Sequence, residues 1–212
     1  MKVIAINGSP RKEGNTNYAL NLVAEQLRKE DIEVEFVHVG NQETRGCISC
    51  YHCMTNKSGQ CAIKGDKVND CIEKIREADG ILLGSPTYYG NIAGNMKSFL
   101  DRVFFIIEYG SEEPALRHKV GASLVAVRRS GGIKAFNALN DYLLGSEMLI
   151  AGSNYWNIIH GMMPKDAEQD EEGKQTMEVL GKNTAYLLKM KEAAKDVKAP
   201  EHESKKMTNF IR

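Results

Sequence analysis

Short apolar segments alternate with amphipathic helical segments along almost the whole chain. The first, residues 2–6, is rich in β-branched and small apolar residues, which is typical of a strand buried on both faces of a parallel sheet. Similar segments predict further strands at 34–39, 80–84, 122–127 and 148–151. Apolar residues at helical spacing predict the intervening helices: one capped by Thr16, one around 96–103, and others at 66–76, 133–144 and 171–194.

Strands that alternate with helices form βαβ units, and right-handed crossovers then produce a parallel sheet with helices on both faces. Five strands favour an α/β fold of the flavodoxin-like class, a three-layer sandwich whose five-stranded parallel sheet has the order 2-1-3-4-5. We expect residues 1–212 to form one such domain, with a cysteine-rich loop at 40–65 and a polar C-terminal tail at 197–212. In this class the ligand binds at the carboxyl ends of strands 1 and 3.

Charge and hydropathy narrow the possible partners. Lysine plus arginine equals aspartate plus glutamate at 28 each, so no overall field favours nucleic acid or an anionic membrane, and a small molecule is expected instead. The N-terminal apolar run is too short for a signal peptide, and no stretch is long and apolar enough to span a bilayer. We therefore expect a cytoplasmic protein, in which clustered cysteines are more often metal ligands or redox groups than disulfides.

The segment after the first predicted strand is a strand-to-helix turn rich in glycine, hydroxyl and basic residues. Backbone N–H groups at a helix N-terminus and the helix dipole favour a bound phosphate. The turn lacks the features of a Walker loop or a dinucleotide loop, which favours the terminal monophosphate of FMN. A simple turn followed by a threonine cap is the alternative. The candidate phosphate ligands are Ser9, Pro10, Arg11, Lys12, Gly14, Asn15 and Thr16.

Two further loops follow the third and fourth predicted strands. The first offers backbone amides and two tyrosines to a flat heterocycle, through Pro86, Thr87, Tyr88, Tyr89, Gly90 and Asn91. The second, at 128–132, is basic and glycine-rich. We expect it to close over the ring or to receive the phosphates of NAD(P)H, through Arg129, Gly131 and Gly132. The alternatives are that the tyrosines belong to the core or an interface and that the second loop is a solvated turn.

Four cysteines lie within the connection at 40–65, which is longer than a compact domain normally keeps without a function. Cys47, Cys50 and Cys53 have C-x2-C-x2-C spacing, and Cys61 follows after seven residues. Bacterial ferredoxins open with the same spacing, which holds a [4Fe-4S] cluster. The residues leave three alternatives open: such a cluster, unliganded or redox-active thiols, and zinc. Cys71 falls on the apolar side of the next helix and is expected in the core.

Three stretches occur in this order along the chain: GSPRKEGNT, GCISCYHCMTNKSGQCAIKGD and SPTYYGNIAGNMKSFLDR. Together they resemble the NADPH-dependent FMN reductase family within the flavodoxin-like fold, and its iron-sulfur flavoprotein branch in particular. The resemblance extends from Met1 to about Leu188. It implies that Ser9, Arg11, Asn15 and Thr16 hold the FMN phosphate and that residues 86–91 hold the isoalloxazine ring. It also implies a homodimer or homotetramer with FMN near a subunit interface.

These observations predict an FMN-dependent oxidoreductase. We expect NAD(P)H or a reduced ferredoxin to reduce the flavin, which then reduces a small acceptor such as a quinone, a free flavin, an azo compound, a metal ion or O2. The main alternative is an iron-sulfur flavoprotein that carries electrons between proteins, and a redox-sensing module is a third possibility. The balanced total charge gives no sign of the docking face that a carrier needs. Apolar residues of the tail, Met207, Phe210 and Ile211, are expected to dock on a neighbouring subunit.

Overall fold

Strands and helices alternate through most of the computed structural model, which describes residues 1–111, 114–208 and 210. The elements are β1 (Lys2–Asn7), α1 (Asn15–Arg28), β2 (Glu33–His38), α2 (His52–Asn56), α3 (Val68–Glu77), β3 (Gly80–Tyr88), β4 (Asn91–Ile92), α4 (Gly94–Tyr109), β5 (Val120–Val127), α5 (Gly132–Gly145), β6 (Leu149–Ile150), β7 (Ile158–His160) and α6 (Glu171–Ala193), with a 3-10 helix at Asp166–Gln169. Positions 209, 211 and 212 lie outside the described residues, and part of the predicted tail contact falls there.

The central sheet confirms the flavodoxin-like fold class. Its parallel strands have the order β2-β1-β3-β5-β6. The register sets Ile4 opposite Glu35 of β2 and Ile81 of β3. β1 and β5 are buried along almost their whole length, which explains why their sequences are continuous apolar runs rather than alternating patterns.

Two hydrophobic cores cover the opposite faces of this sheet. Ile4 and Ile6 of β1 pack in the core that contains the apolar faces of α3, α4 and α5. Val3 and Ala5 point the other way, into the core formed with α1 and α6. Each large aliphatic side chain fully buried in these cores contributes about 1.5–3 kcal/mol relative to exposure. Among the described residues, no helix has the combination of length and apolar character that a membrane crossing requires.

The fifth position of the sheet differs from the prediction of one strand at 148–151. β6 pairs with β5 only at Val120 and Gly121, and β7 pairs with the other end of β5. Between them Asn157 takes over the hydrogen bonding, since its Nδ2 donates to the Ser123 carbonyl at 2.9 Å and its own carbonyl accepts from Val125 N–H at 2.9 Å. With β4 beside β3, the sheet has seven strands in the described chain instead of five.

Two local predictions are corrected as well. The loop predicted after the third strand is largely strand, because β3 continues to Tyr88 and forms a hairpin with β4. Tyr89 and Gly90 both have positive φ, 49° and 70°, as a tight two-residue hairpin turn requires. Thr16 does not cap α1: the helix begins at Asn15, and Gly14 is the N-cap.

Candidate functional site

Four loops meet at the carboxyl ends of the parallel strands. The loops after β1 and β3 leave from neighbouring strands, where Gly8 N–H donates to the Gly84 carbonyl at 2.8 Å. The loop after β5 reaches the hairpin, since a Cβ added at Gly131 would lie only 3.0 Å from the Gly90 Cα. The loop after β7 is hydrogen-bonded to the end of β5 through Gly161 N–H. The three predicted binding loops therefore share one edge of the sheet, together with a fourth that the sequence did not indicate.

The first loop is organised by short-range hydrogen bonds. Asn7 Oδ1 accepts from Ser9 N–H at 3.0 Å, and Ser9 Oγ accepts from Arg11 N–H at 3.2 Å. Among the described residues, no side chain caps α1 at Gly14, and its first turn carries no acidic residue. The first N–H groups of the helix and the positive end of its dipole are therefore uncompensated by side chains, which is the environment that an anion favours.

The predicted phosphate ligands fall into two groups. Ser9, Gly14 and Thr16 are buried, whereas Pro10, Arg11 and Lys12 are exposed. The side chain of Asn15 is engaged elsewhere: its Nδ2 donates to the Met163 carbonyl at 3.0 Å and its Oδ1 accepts from Ala167 N–H at 3.4 Å. Arg11 Nη1 likewise donates to the Met162 carbonyl at 3.1 Å. Asn15 and Arg11 thus join the first loop to the fourth, and the second N–H of the Asn15 amide takes no part in these bonds.

Two residues that the sequence did not single out support the first loop from β2. The ring Nε2 of His38, the last residue of β2, lies 2.7 Å from the Ser9 carbonyl. Gly40 passes so close that an added Cβ would stand 2.1 Å from the same oxygen. The position of His38 at a strand end beside the switch point was the available sequence signal. The start of the cysteine loop therefore rests directly on the first loop.

The hairpin presents polar and aromatic groups that the protein itself does not use. Oγ1 of Thr87 is buried and has no hydrogen-bond partner among the described residues. Tyr88 is half exposed and Tyr89 fully exposed, at 48% and 107% of their reference areas, so neither tyrosine belongs to the core. Gly90 and Asn91 complete the turn, and an added Cβ at Gly90 would meet nothing within 4 Å. A buried unpaired hydroxyl followed in sequence by two exposed tyrosines is consistent with a planar polar ligand at this edge.

The third loop contributes a second helix N-terminus. Gly131 caps α5 in a left-handed conformation with φ of 85°, and Gly132 is the first residue of that helix. Arg128 and Arg129 are exposed immediately before it. The loop therefore offers cations and helix N–H groups next to the hairpin, which suits a second anionic ligand.

The four cysteines of the 40–65 loop line one concavity of about 420 Å³ against α4. Cys47 and Cys50 are exposed, Cys61 is half-buried and Cys53 is buried. Burial raises the pKa of Cys53, and the neighbouring Cys61 and Cys50 add to the rise. Within the described residues, no three His, Cys, Asp or Glu side chains form a group that could hold a metal ion.

Contacts with α3 and α4 fix the shape of this loop. Asn69 of α3 accepts from Cys61 N–H at 2.7 Å and donates to the Cys61 carbonyl at 3.3 Å. Gly59 N–H donates to the Gly110 carbonyl at 2.8 Å, just beyond the end of α4. These contacts fix the backbone at Cys61 and Gly59 through protein groups. Cys71, by contrast, lies in the core as predicted, where burial raises its pKa to about 11.

Arg102 of α4 forms part of the wall of the concavity and was missed by the sequence analysis. It is 1% exposed and ion-paired with Asp66, which it contacts through both Nη atoms. The same atoms donate to the carbonyls of Arg45 and Ile63, each at 3.1 Å. A cation three residues after Phe99, on the apolar face of a helix, was the sequence signal that indicated a buried role.

One helix connects the hairpin with the concavity. α4 starts two residues after β4, and Asn95 in its first turn donates to the carbonyls of Gly40 and Gln42 at 2.9 and 3.0 Å. Asp101 begins the wall of the concavity. At 1.5 Å per residue it lies about 10 Å along the axis from Gly94, the first residue of the helix. The cysteine loop runs beside α4 over this distance.

Comparison with known proteins agrees with this arrangement. Among solved structures, RosB with a bound 8-demethyl-8-formylriboflavin-5'-phosphate intermediate has a TM-score of 0.71 at 17% identity, covering 100% of this chain and 93% of that one. A flavodoxin from the domain Archaea has a TM-score of 0.58 at 17% identity, covering 89% and 99%. At such identities the likeness concerns the fold alone, and it defines a flavodoxin-like protein.

The sequence comparisons identify the family. A family model described as NADPH-dependent FMN reductase matches residues 1–162. An iron-sulfur flavoprotein of Methanocaldococcus jannaschii is 35% identical over 197 residues, which cover 90% of this chain and 98% of that protein. The chain belongs to the NADPH-dependent FMN reductase family, a family of FMN-dependent oxidoreductases, and its curated relatives include iron-sulfur flavoproteins. The resemblance inferred from the three sequence stretches is thereby confirmed.

Proposed function

We propose that this protein binds FMN at the carboxyl edge of its sheet and passes electrons from NAD(P)H or a reduced ferredoxin to a small acceptor, such as a quinone, a flavin, an azo compound, a metal ion or O2. The observation that carries the proposal is the pair of unused groups at this edge: the uncapped N-terminus of α1 and the buried, unpartnered Oγ1 of Thr87. An anionic tail and a polar flat ring on one ligand satisfy both.

Each loop then has a separate task. The hydroxyls of Ser9 and Thr16 and the N–H groups of the first loop hold the phosphate. Tyr88, Tyr89 and the hairpin amides flank the ring, and they exclude water from one of its faces. When bound, FMN supplies a ring that accepts hydride and releases electrons singly or in pairs. The third loop receives the phosphates of the nicotinamide donor through Arg129, Gly131 and Gly132.

We further propose that Cys47, Cys50, Cys53 and Cys61 hold a [4Fe-4S] cluster. The size of the concavity and the name of the M. jannaschii relative support this. A cluster held at this concavity, whose wall begins about 10 Å along α4 from Gly94, would offer FMN a one-electron partner within the same chain.

Local charge favours a protein donor and supports the electron-carrier alternative. Between positions 44 and 67 the only acidic residue is Asp66, which is paired with the buried Arg102. The cations of the same segment are exposed and form no ion pair within the described chain: Arg45, Lys57, Lys64 and Lys67. The segment that lines the concavity therefore carries exposed cations that the whole-chain balance does not reveal, and these suit an acidic redox protein such as a ferredoxin.

A homo-oligomer is part of the proposal. Tyr155, Trp156, Met162 and Met163 are all at least half exposed in the segment that leads into and forms the fourth loop. Exposed apolar side chains grouped in this way mark association surfaces. A second copy covering them would shield the adjoining edge of the sheet.

Anaerobic purification and reconstitution of the full chain test the proposal. We expect about one FMN per chain and about four iron and four sulfide per chain. Stopped-flow reduction by NADPH and by reduced ferredoxin, each followed by quinone turnover, identifies the donor. Protein without bound FMN would contradict the oxidoreductase assignment. FMN without iron, with turnover by NADPH, would leave a simple FMN reductase.

Thr87→Val separates the role of the hairpin hydroxyl from its structural effect. Valine removes a buried unpaired hydroxyl, so the free energy of unfolding of the FMN-free protein should rise by up to about 1 kcal/mol. FMN affinity should fall roughly threefold to tenfold, because a hydrogen bond to the ring is lost. Denaturant unfolding and fluorescence titration measure the two effects.

Thr184→Val is the matched control, since this buried hydroxyl donates to the Leu180 carbonyl at 2.7 Å within α6. It should lower stability and leave FMN affinity unchanged. If Thr87→Val destabilised the FMN-free protein as Thr184→Val does, the hydroxyl of Thr87 would be serving the fold rather than a ligand.

A further inference from the structure

The guanidinium of Arg102 is held in one orientation with one donor unused. Both Nη atoms are occupied by the carboxylate of Asp66 and by two carbonyls of the cysteine loop. The Nε–H is buried and has no hydrogen-bond partner among the described residues. A planar fork fixed by its Nη atoms cannot turn to satisfy its Nε–H, so this donor is available only to a group that arrives in the concavity.

Cys61 is the cysteine beside this guanidinium. Arg102 and Cys61 both line the concavity, and Arg102 Nη2 donates to the carbonyl of Ile63, two residues after Cys61. Among the described residues, Cys61 does not satisfy the Nε–H. When a cluster binds, this thiol becomes a thiolate ligand and the local negative charge increases.

Resting on the cluster proposed above, we infer that Arg102 is a positioning residue that sets the reduction potential of that cluster. Its Nε–H donates to the Cys61 sulfur, and its charge stabilises the reduced cluster, which carries one more negative charge than the oxidised one. Asp66 fixes the orientation of the guanidinium and offsets part of its charge. Hydrogen bonds to cluster sulfurs and nearby charge are the means by which proteins raise such potentials.

The potential of the reconstituted, FMN-loaded full chain, measured by anaerobic spectroelectrochemistry, tests this inference. Arg102→Gln removes the charge and the Nε–H, so the ratio of reduced to oxidised cluster at a fixed potential should fall about tenfold, which is 59 mV for one electron. Arg102→Lys keeps the charge but lacks the planar guanidinium, so the same ratio should fall about threefold. If Arg102→Gln fails to retain FMN because Asp66 is left unpaired, Arg102→Lys carries the test.

Asp66→Asn provides a change of opposite sign. Asparagine retains the Oδ1 that accepts from Val68 N–H but removes the counter-charge, so the same ratio should rise about threefold. Lys64→Gln is the control for charge alone: it removes one cation from the same loop at an exposed position, where screening should limit the change to less than twofold.

The outcomes separate the inference from the proposal beneath it. Parent protein without iron would contradict the cluster itself and the inference with it. Parent protein with iron, combined with Arg102 variants that match Lys64→Gln, would overturn the inference alone. Loss of iron from both Arg102 variants with FMN still bound would also overturn it, because Arg102 would then only hold the loop. Variants of Arg102 and Asp66 that shifted the reduction potential in the same direction would indicate a loosened, hydrated loop. That result would also overturn the inference.

Discussion

Replacing Cys50 with serine is expected to remove all bound iron and sulfide while FMN stays in place. Cys50 is the central cysteine of the C-x2-C-x2-C run and lies exposed at the concavity. Serine is a poor substitute for a thiolate ligand, and three cysteines leave one iron of a cubane uncovered. Iron and sulfide should fall from about four each per chain to near zero after anaerobic reconstitution. The flavin absorbance should be unchanged, because the FMN loops hold their shape through contacts of their own.

Cys71→Ser is the matched control for this substitution. The side chain of Cys71, a residue of α3, is buried in the core, and Cys71 is not among the residues that line the concavity. The variant should keep its iron and lose about 1–3 kcal/mol of stability, because serine buries a hydroxyl there. Full iron content in Cys50→Ser would show that the cluster, if present, is held elsewhere. In Cys50→Ser, reduction by ferredoxin should be lost together with the cluster, whereas reduction by NADPH should be retained.

The double variant Ser9→Ala, Thr16→Ala is expected to lose most of its preference for FMN over riboflavin. Each hydroxyl that donates to a phosphate contributes about 1.5–3 kcal/mol, so the ratio of the two affinities should fall by at least about a hundredfold. Riboflavin has no phosphate, and its affinity should change little. Arg11 N–H, which donates to Ser9 Oγ, lies on an exposed residue where water can replace that acceptor. Fluorescence titration with both ligands measures the ratio.

A second double variant controls for lost buried hydroxyls in general. Ser123 of β5 donates to Asn140 at 2.7 Å, and Thr184 of α6 donates to Leu180. Replacing both by alanine should lower stability without changing the ratio of the FMN and riboflavin affinities. A strong preference for FMN that persisted in Ser9→Ala, Thr16→Ala would place the phosphate at another helix N-terminus.

The fold could be predicted where the signal is local. Continuous apolar runs identified β1, β3 and β5 because strands of a parallel sheet are buried on both faces. The fifth position could not be predicted in the same way. There Asn157 replaces strand pairing with a bond to Ser123, a partner 34 positions away, and no local pattern reports such a contact. The N-cap of α1 is Gly14 rather than the predicted Thr16 for a similar reason. The path of the first loop is determined by contacts with Asn7 and β2, which a local pattern does not report.

The candidate site shows the same division. The hydroxyls, glycines, tyrosines and cysteines that could be named in advance belong to short motifs whose spacing carries the chemistry. The residues that support these motifs are Arg102, Asn69 and His38. Sequence signals marked the positions of Arg102 and His38 but not their partners, because these residues act on loops distant in sequence through contacts that exist only in the folded chain. Asn15 shows the converse, since its place in a motif suggested a ligand while its side chain is occupied by the fourth loop.

The Asn69 side chain is hydrogen-bonded to both the N–H and the carbonyl of Cys61, and these bonds bear on how a cluster is loaded into the protein. In a protein whose ligands come together only when the metal binds, the binding free energy of the metal is also folding free energy, and a chelator unfolds the protein. In this chain α3 and α4 contact the cysteine loop through protein groups, so we expect iron loading and folding to be separate equilibria. Oxygen or a chelator should then interconvert two folded forms of the same flavoprotein, and the iron-free form should reload without first having to refold.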